Sequence, residues 1–143
     1  MRRTLWRAVS VVFVVGLALL GCEGPNRSQN PSSASGFNIA VEISPNALRG
    51  ATPGTNEAQG GCGVVTAKVF DTLGQLVDGA NVTLTTTLGR FPGQNPGQEF
   101  VAVGGPTTRG IFDFPICAKA ERGTGTITAT TEDAAATALF TVF

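Results

Sequence analysis

The stretch Phe37-Asn38-Ile39-Ala40-Val41-Glu42-Ile43-Ser44 alternates large apolar side chains with small or polar ones for its whole length. A two-residue period puts Phe37, Ile39, Val41 and Ile43 on one side of an extended chain. It leaves the other side to Asn38, Ala40, Glu42 and Ser44, the pattern of a strand with one buried face. Pro45 cannot donate to a ladder and ends the strand. The period returns downstream. Val65, Ala67 and Val69 oppose Thr66 and Lys68, and Val82, Leu84, Thr86 and Leu88 oppose Asn81, Thr83, Thr85 and Thr87. Phe112, Phe114 and Ile116 oppose Asp113, and Ile127 and Ala129 face inward from residues 124–131. Residues 99–103 supply a further short strand and residues 137–143 the last one. Asp71-Thr72-Leu73-Gly74, Asp78-Gly79, residues 104–110 and residues 119–123 carry turn chemistry. About seven short strands, with turn signals every 8–12 residues or so, predict an all-β domain. An antiparallel β-sandwich is the first expectation, and a small closed barrel is the structural alternative.

Upstream of this domain the sequence changes character. Arg2, Arg3 and Arg7 precede an apolar run from Ala8 to Leu20 that is broken only by Ser10 and Gly16. The run is about 13 residues, short of the roughly 20 that a membrane-crossing helix needs. It closes on Leu19-Leu20-Gly21-Cys22. A positive start, an apolar run and a small residue are the parts of a secretory signal. Together with the cysteine they resemble the bacterial lipoprotein signal, in which an aliphatic residue, a variable position and Gly or Ala precede Cys. The resemblance implies that residues 1–21 are a signal peptide that is removed. It implies that Cys22 carries a diacylglycerol on its thiol and an acyl chain, such as palmitate, on its freed amine. The chain would then be held by lipid on the extracytoplasmic side of a bacterial membrane. An ordinary cleaved signal that leaves Cys22 as a spare thiol is the alternative. Glu23 stands where Asp favours inner-membrane retention in that family, which points to the outer membrane in a cell with two. Two or three acyl chains give stable attachment, at about 0.8 kcal/mol per buried CH₂.

Residues 22–36 then form a lipidated N-terminus and a flexible linker of Pro, Asn, Ser, Gln and Gly with no apolar period. As a coil this linker would span on the order of 20 Å. Residues 37–143 form the domain. So short a linker is expected to hold the start of the first strand nearest the bilayer, leaving loops at the opposite end free to meet a partner.

The chain has ten Lys/Arg, ten Asp/Glu, no His and no Tyr. Three of the basic residues precede Cys22, so seven remain against ten carboxylates. That balance argues against a nucleic-acid partner or a polybasic lipid-binding role. With Cys22 assigned to lipid, Cys62 and Cys117 are an even pair in an oxidising compartment and are expected to form a disulfide. By strand parity both point outward. The bond is therefore expected to staple two neighbouring antiparallel strands on the outer face of one sheet. Two cysteines without His are too few for a zinc site. Asp71, Asp78, Glu99, Asp113, Glu121, Glu132 and Asp133 read as turn and solvent-face residues. None of them forms an evident pair for glycoside hydrolysis, and neither Asp71 with Asp78 nor Glu132 with Asp133 has calcium-loop spacing. No catalytic residue, metal or cofactor is expected. The Gly- and Pro-rich loop 89–98 carries Arg90 and Phe91, residue types favoured at interfaces, and is the candidate recognition loop. The alternative places Phe91 in the core on a short strand and leaves Arg90 solvated.

Five segments together resemble one family. They are Val65-Thr66-Ala67-Lys68-Val69-Phe70-Asp71 followed by Gly74, Leu76-Val77-Asp78-Gly79-Ala80-Asn81-Val82-Thr83-Leu84, Gly89-Arg90-Phe91, Thr108-Arg109-Gly110-Ile111-Phe112, and Gly123-Thr124-Gly125-Thr126-Ile127-Thr128-Ala129. In order and spacing they are similar to the bacterial immunoglobulin-like (Ig-like) domain of the invasin/intimin type. The resemblance implies an Ig-like sandwich of about seven strands. It also implies a non-catalytic binding or structural role at the cell surface or envelope, toward a protein or polysaccharide partner. A small accessory subunit of an envelope or secretion complex is the alternative. The cysteine pair and Pro115 inside a strand depart from the family's pattern.

Overall fold

A computed structural model describes residues 28–29, 36–52, 60–95, 97–132 and 134–143. The expected signal peptide, Cys22 and most of the expected linker lie outside the described residues, as does Asp133. The strands are β1 (Ser28–Gln29), β2 (Asn38–Ser44), β3 (Ala47–Leu48), β4 (Cys62–Phe70), β5 (Asn81–Thr86) and β6 (Phe91–Pro92). They continue with β7 (Glu99–Phe100), β8 (Ala102–Pro106), β9 (Ile111–Cys117), β10 (Gly123–Thr131) and β11 (Ala134–Val142). Two sheets form, in the orders β1-β2-β4-β9 and β3-β11-β10-β5-β8, and β6 and β7 make a separate ribbon. Every pairing is antiparallel except β3 with β11. The molecule is an all-β, Ig-like sandwich of two sheets.

The alternating stretches make the two inner faces. Ile39, Val41 and Ile43 of β2 stand opposite Val69, Ala67 and Val65 of β4 in register. All six are buried. Val82 and Leu84 on β5, Ile127 and Ala129 on β10, and Ala136, Ala138 and Phe140 on β11 meet them from the second sheet. Each fully buried Val, Leu, Ile or Phe contributes on the order of 1.5–3 kcal/mol relative to exposure. Phe37, Leu88, Phe112 and Phe114 pack against this core from its margins.

The structure revises four local expectations. β8 runs through Gly104, Gly105 and Pro106, which read as turn residues; their backbones pair with Thr83, Val82 and Asn81. The turn is left to the residues around Arg109 and Gly110, both at positive φ (55° and 79°). β11 starts at Ala134 rather than residue 137, because the tight reversal at Glu132 (φ 42°) lets Ala134 pair with Thr131. Loop 89–98 contains β6. Finally, Ser28 and Gln29, expected within a linker of no regular structure, pair with Val41 and Ala40.

The sandwich has two unlike ends. At one end, the Asp71 carboxylate accepts from the backbone N–H of Leu73 (2.9 Å) and Gln75 (2.8 Å), with Gly74 at φ 77°. The Thr107 hydroxyl donates to the Val77 carbonyl (2.7 Å) and accepts from the Ala80 N–H (3.0 Å). The Asp78 carboxylate accepts from Arg109 N–H (2.6 Å), so two turns distant in sequence are tied together. We call this the turn end. At the other end lie the C-terminal ends of β2, β9 and β11, the start of β4 and the Cys62–Cys117 bond, and we call it the disulfide end.

Candidate functional site

The expected staple is formed. Cys62 and Cys117 are register partners on the antiparallel pair β4 and β9, and they are bonded, with Cα atoms 4.1 Å apart. Cys117 exchanges both of its backbone hydrogen bonds with Arg90 (2.9 Å each), on the side away from β4. Its pairing with Cys62 is therefore the non-hydrogen-bonded kind, in which the two Cα atoms approach most closely. Gly89 permits this approach: at φ 76°, a Cβ there would lie 3.0 Å from the Cys117 carbonyl oxygen. The same alternation accounts for Pro115. Two residues from Cys117 on the outer strand of its sheet, it also turns its nitrogen away from β4, so its missing N–H removes no ladder bond.

The two residues expected to recognise a partner part company. Phe91 has no exposed surface, and its ring stands edge-on to that of Phe114 (centroids 5.9 Å apart, planes at 86°). Phe114 in turn stacks on Phe112 at 6.1 Å. Phe91 is thus a core residue on β6, packed against Phe114 of β9, which corrects its assignment to a recognition surface and agrees with the alternative reading. Arg90, half-buried, lies beside the disulfide, and its guanidinium donates to the Gly89 carbonyl (2.6 Å). The ribbon of β6 and β7 is closed by Gly93 N–H to the Gln98 carbonyl (2.7 Å) and Gln98 N–H to the Asn95 carbonyl (3.1 Å). It is fixed to the disulfide end by an ion pair between Glu99 of β7 and the largely buried Lys119.

Under this ribbon runs a groove of about 480 Å³ between the outer strands β8 and β9. Phe100, Val103 and Phe114 supply apolar surface, and Gln94, Asn95 and Gln98 supply carboxamides. The Asn95 and Gln98 side chains hydrogen-bond each other at 3.3 Å. The sequence reading did not find this groove. Phe100 and Val101, both exposed, were the only available signal, in a strand candidate with no clear inward side.

Most of the described carboxylates have structural partners. Asp71 and Asp78 hold turns, Asp113 accepts from the Thr66 hydroxyl across β4 and β9 (2.6 Å), and Glu42 pairs with Lys68 across β2 and β4 (3.2 Å). Among the described residues, no three His, Cys, Asp or Glu gather where a metal ion could be held.

No family model matches the chain, and no curated protein sequence matches it. Solved structures do. The chain is similar to the D0-D1 domain of intimin at 18% identity and a TM-score of 0.53, over 83% of this chain and 49% of that one. It is similar to a β-glycosidase from Bacteroides vulgatus at 15% identity and a TM-score of 0.52, over 79% of this chain and 14% of that one. A glycosyl hydrolase family 2 member from Bacteroides cellulosilyticus matches at 17% identity and a TM-score of 0.50, over 73% and 14%. The chain spans about half the length of the intimin fragment and a small part of each glycosidase. At these identities the likeness is one of fold: the chain carries an Ig-like β-sandwich of the sort found in an intimin fragment and, as one piece among others, in two much larger glycosidases.

Proposed function

We propose that the chain is a lipid-anchored module of the bacterial cell envelope, on the extracytoplasmic side, whose Ig-like domain binds or spaces rather than catalyses. The observation that carries this reading is the Cys62–Cys117 bond on the half-exposed outer face of β4 and β9. Such a bond persists in an oxidising compartment, which agrees with the signal-like residues 1–21 and leaves Cys22 as the cysteine for lipid. Likeness to a domain of intimin supports a binding or structural role toward a protein or polysaccharide partner. The hydrogen bonds that occupy Asp71, Asp78 and Asp113 support a scaffold rather than an acid–base pair.

Replacing the anchor residue tests the reading. Cys22→Ser should move the protein from the membrane fraction to the soluble extracytoplasmic fraction. Retention in the membrane would overturn the anchor.

A further inference from the structure

We propose that the disulfide end of the domain, rather than the start of β2, faces the lipid headgroups, and that Arg49, Arg90 and Arg122 contact headgroup phosphates there. The proposal rests on the anchored reading above. Two independent observations carry it.

The first is the direction of β1. Ser28 pairs with Val41 and Gln29 with Ala40, so the chain enters β1 from the Ser44 end of β2. Six positions separate Cys22 from Ser28, which bounds their separation at about 20 Å. Val41 and Ser44 are about 10 Å apart along β2. The Ser28 end of β1 lies toward the disulfide end, and Cys22 is held within about 20 Å of Ser28. A lipid at Cys22 is therefore tethered to the domain from the side of the disulfide end.

The second is the distribution of charge. Although carboxylates outnumber basic residues after residue 21, the two ends differ. The Arg49 carbonyl accepts from the Gly61 N–H, the Arg90 backbone is hydrogen-bonded to that of Cys117, and Arg122 directly precedes the Gly123–Val142 pair. All three thus lie at the disulfide end. Among the described residues neither Arg49 nor Arg122 has an ion-pair partner. Lys119 and Glu99 offset each other there, and Glu121 is the remaining described carboxylate; Glu57 lies outside the described residues. The turn end has Asp71, Asp78 and Glu132 against Arg109. Guanidinium groups bind phosphate oxygens through charge-assisted hydrogen bonds, whereas carboxylates are repelled by an anionic surface. The turn end, with Leu73 81% exposed and Leu76 beside it, is then the end turned outward to a protein partner.

The single Trp of the chain, Trp6, precedes Cys22, and there is no Tyr, so one introduced Trp reports without background in the processed protein. The experiment uses the full processed lipoprotein, purified from membranes and reconstituted in phosphatidylglycerol-containing vesicles that carry a nitroxide on a fraction of headgroups. Phe143→Trp reports on the disulfide end and Leu73→Trp on the turn end. The expected result is at least twofold stronger quenching at position 143. Equal or reversed quenching in protein that floats with the vesicles overturns the orientation and leaves the anchor standing. Failure to float overturns both. In the Phe143→Trp background, Arg49→Glu with Arg122→Glu should lower the quenching by about half while flotation persists, and unchanged quenching would overturn the phosphate contact.

Discussion

Phe91 shows how one side chain redistributes roles within a loop. Its neighbour Arg90 reaches solvent, while its own ring closes the core against Phe114. Phe91→Ala should therefore lower the free energy of unfolding by about 3–5 kcal/mol in a urea titration, the cost of an emptied core site. A loss below about 0.5 kcal/mol, typical of a surface position, would return Phe91 to the recognition surface. Thr131 is the opposite case. Its hydroxyl is buried, and among the described residues it has no hydrogen-bond partner. Thr131→Val keeps the shape and removes the unsatisfied group, so a gain of about 1 kcal/mol is expected in the same titration. A lower midpoint would contradict that account.

At the scale of strands, the disulfide joins neighbours that are already paired. Its removal by Cys62→Ala with Cys117→Ala should cost about 2–4 kcal/mol through the freed 55-residue loop of the unfolded chain. The urea midpoints of the oxidised protein and the double variant measure this, and equal midpoints would deny the bond a stabilising role. Strands with one clean apolar side, such as Asn38–Ser44 and Asn81–Thr86, were legible because their side chains alone decide which face is buried. The cysteine staple was legible for the same reason, since parity placed both sulfurs outward. Gly104, Gly105 and Pro106 were not: glycine has no side chain to signal a face, and their strand exists because β5 offers them a ladder. Ser28 and Gln29 likewise take their conformation from β2. The groove beneath the ribbon escaped the sequence because it lies between β8 and β9, strands of different sheets whose approach no local pattern encodes.

For the whole molecule, the two ends of the sandwich have different chemistry, with interlocked acidic turns at one and arginines beside a covalent staple at the other. The staple also changes how the molecule carries a load. Residues 63–116, which include the β5 and β8 strands of the opposite sheet, lie inside the covalent ring closed by Cys62 and Cys117. Tension applied between a point before Cys62 and a point beyond Cys117 passes through the sulfur atoms and bypasses everything within that ring. Even fully unravelled, the domain withholds roughly 190 Å of contour from extension. As a tether it behaves as a short strap with a locked coil in its middle, and only a reductant releases the rest of its length.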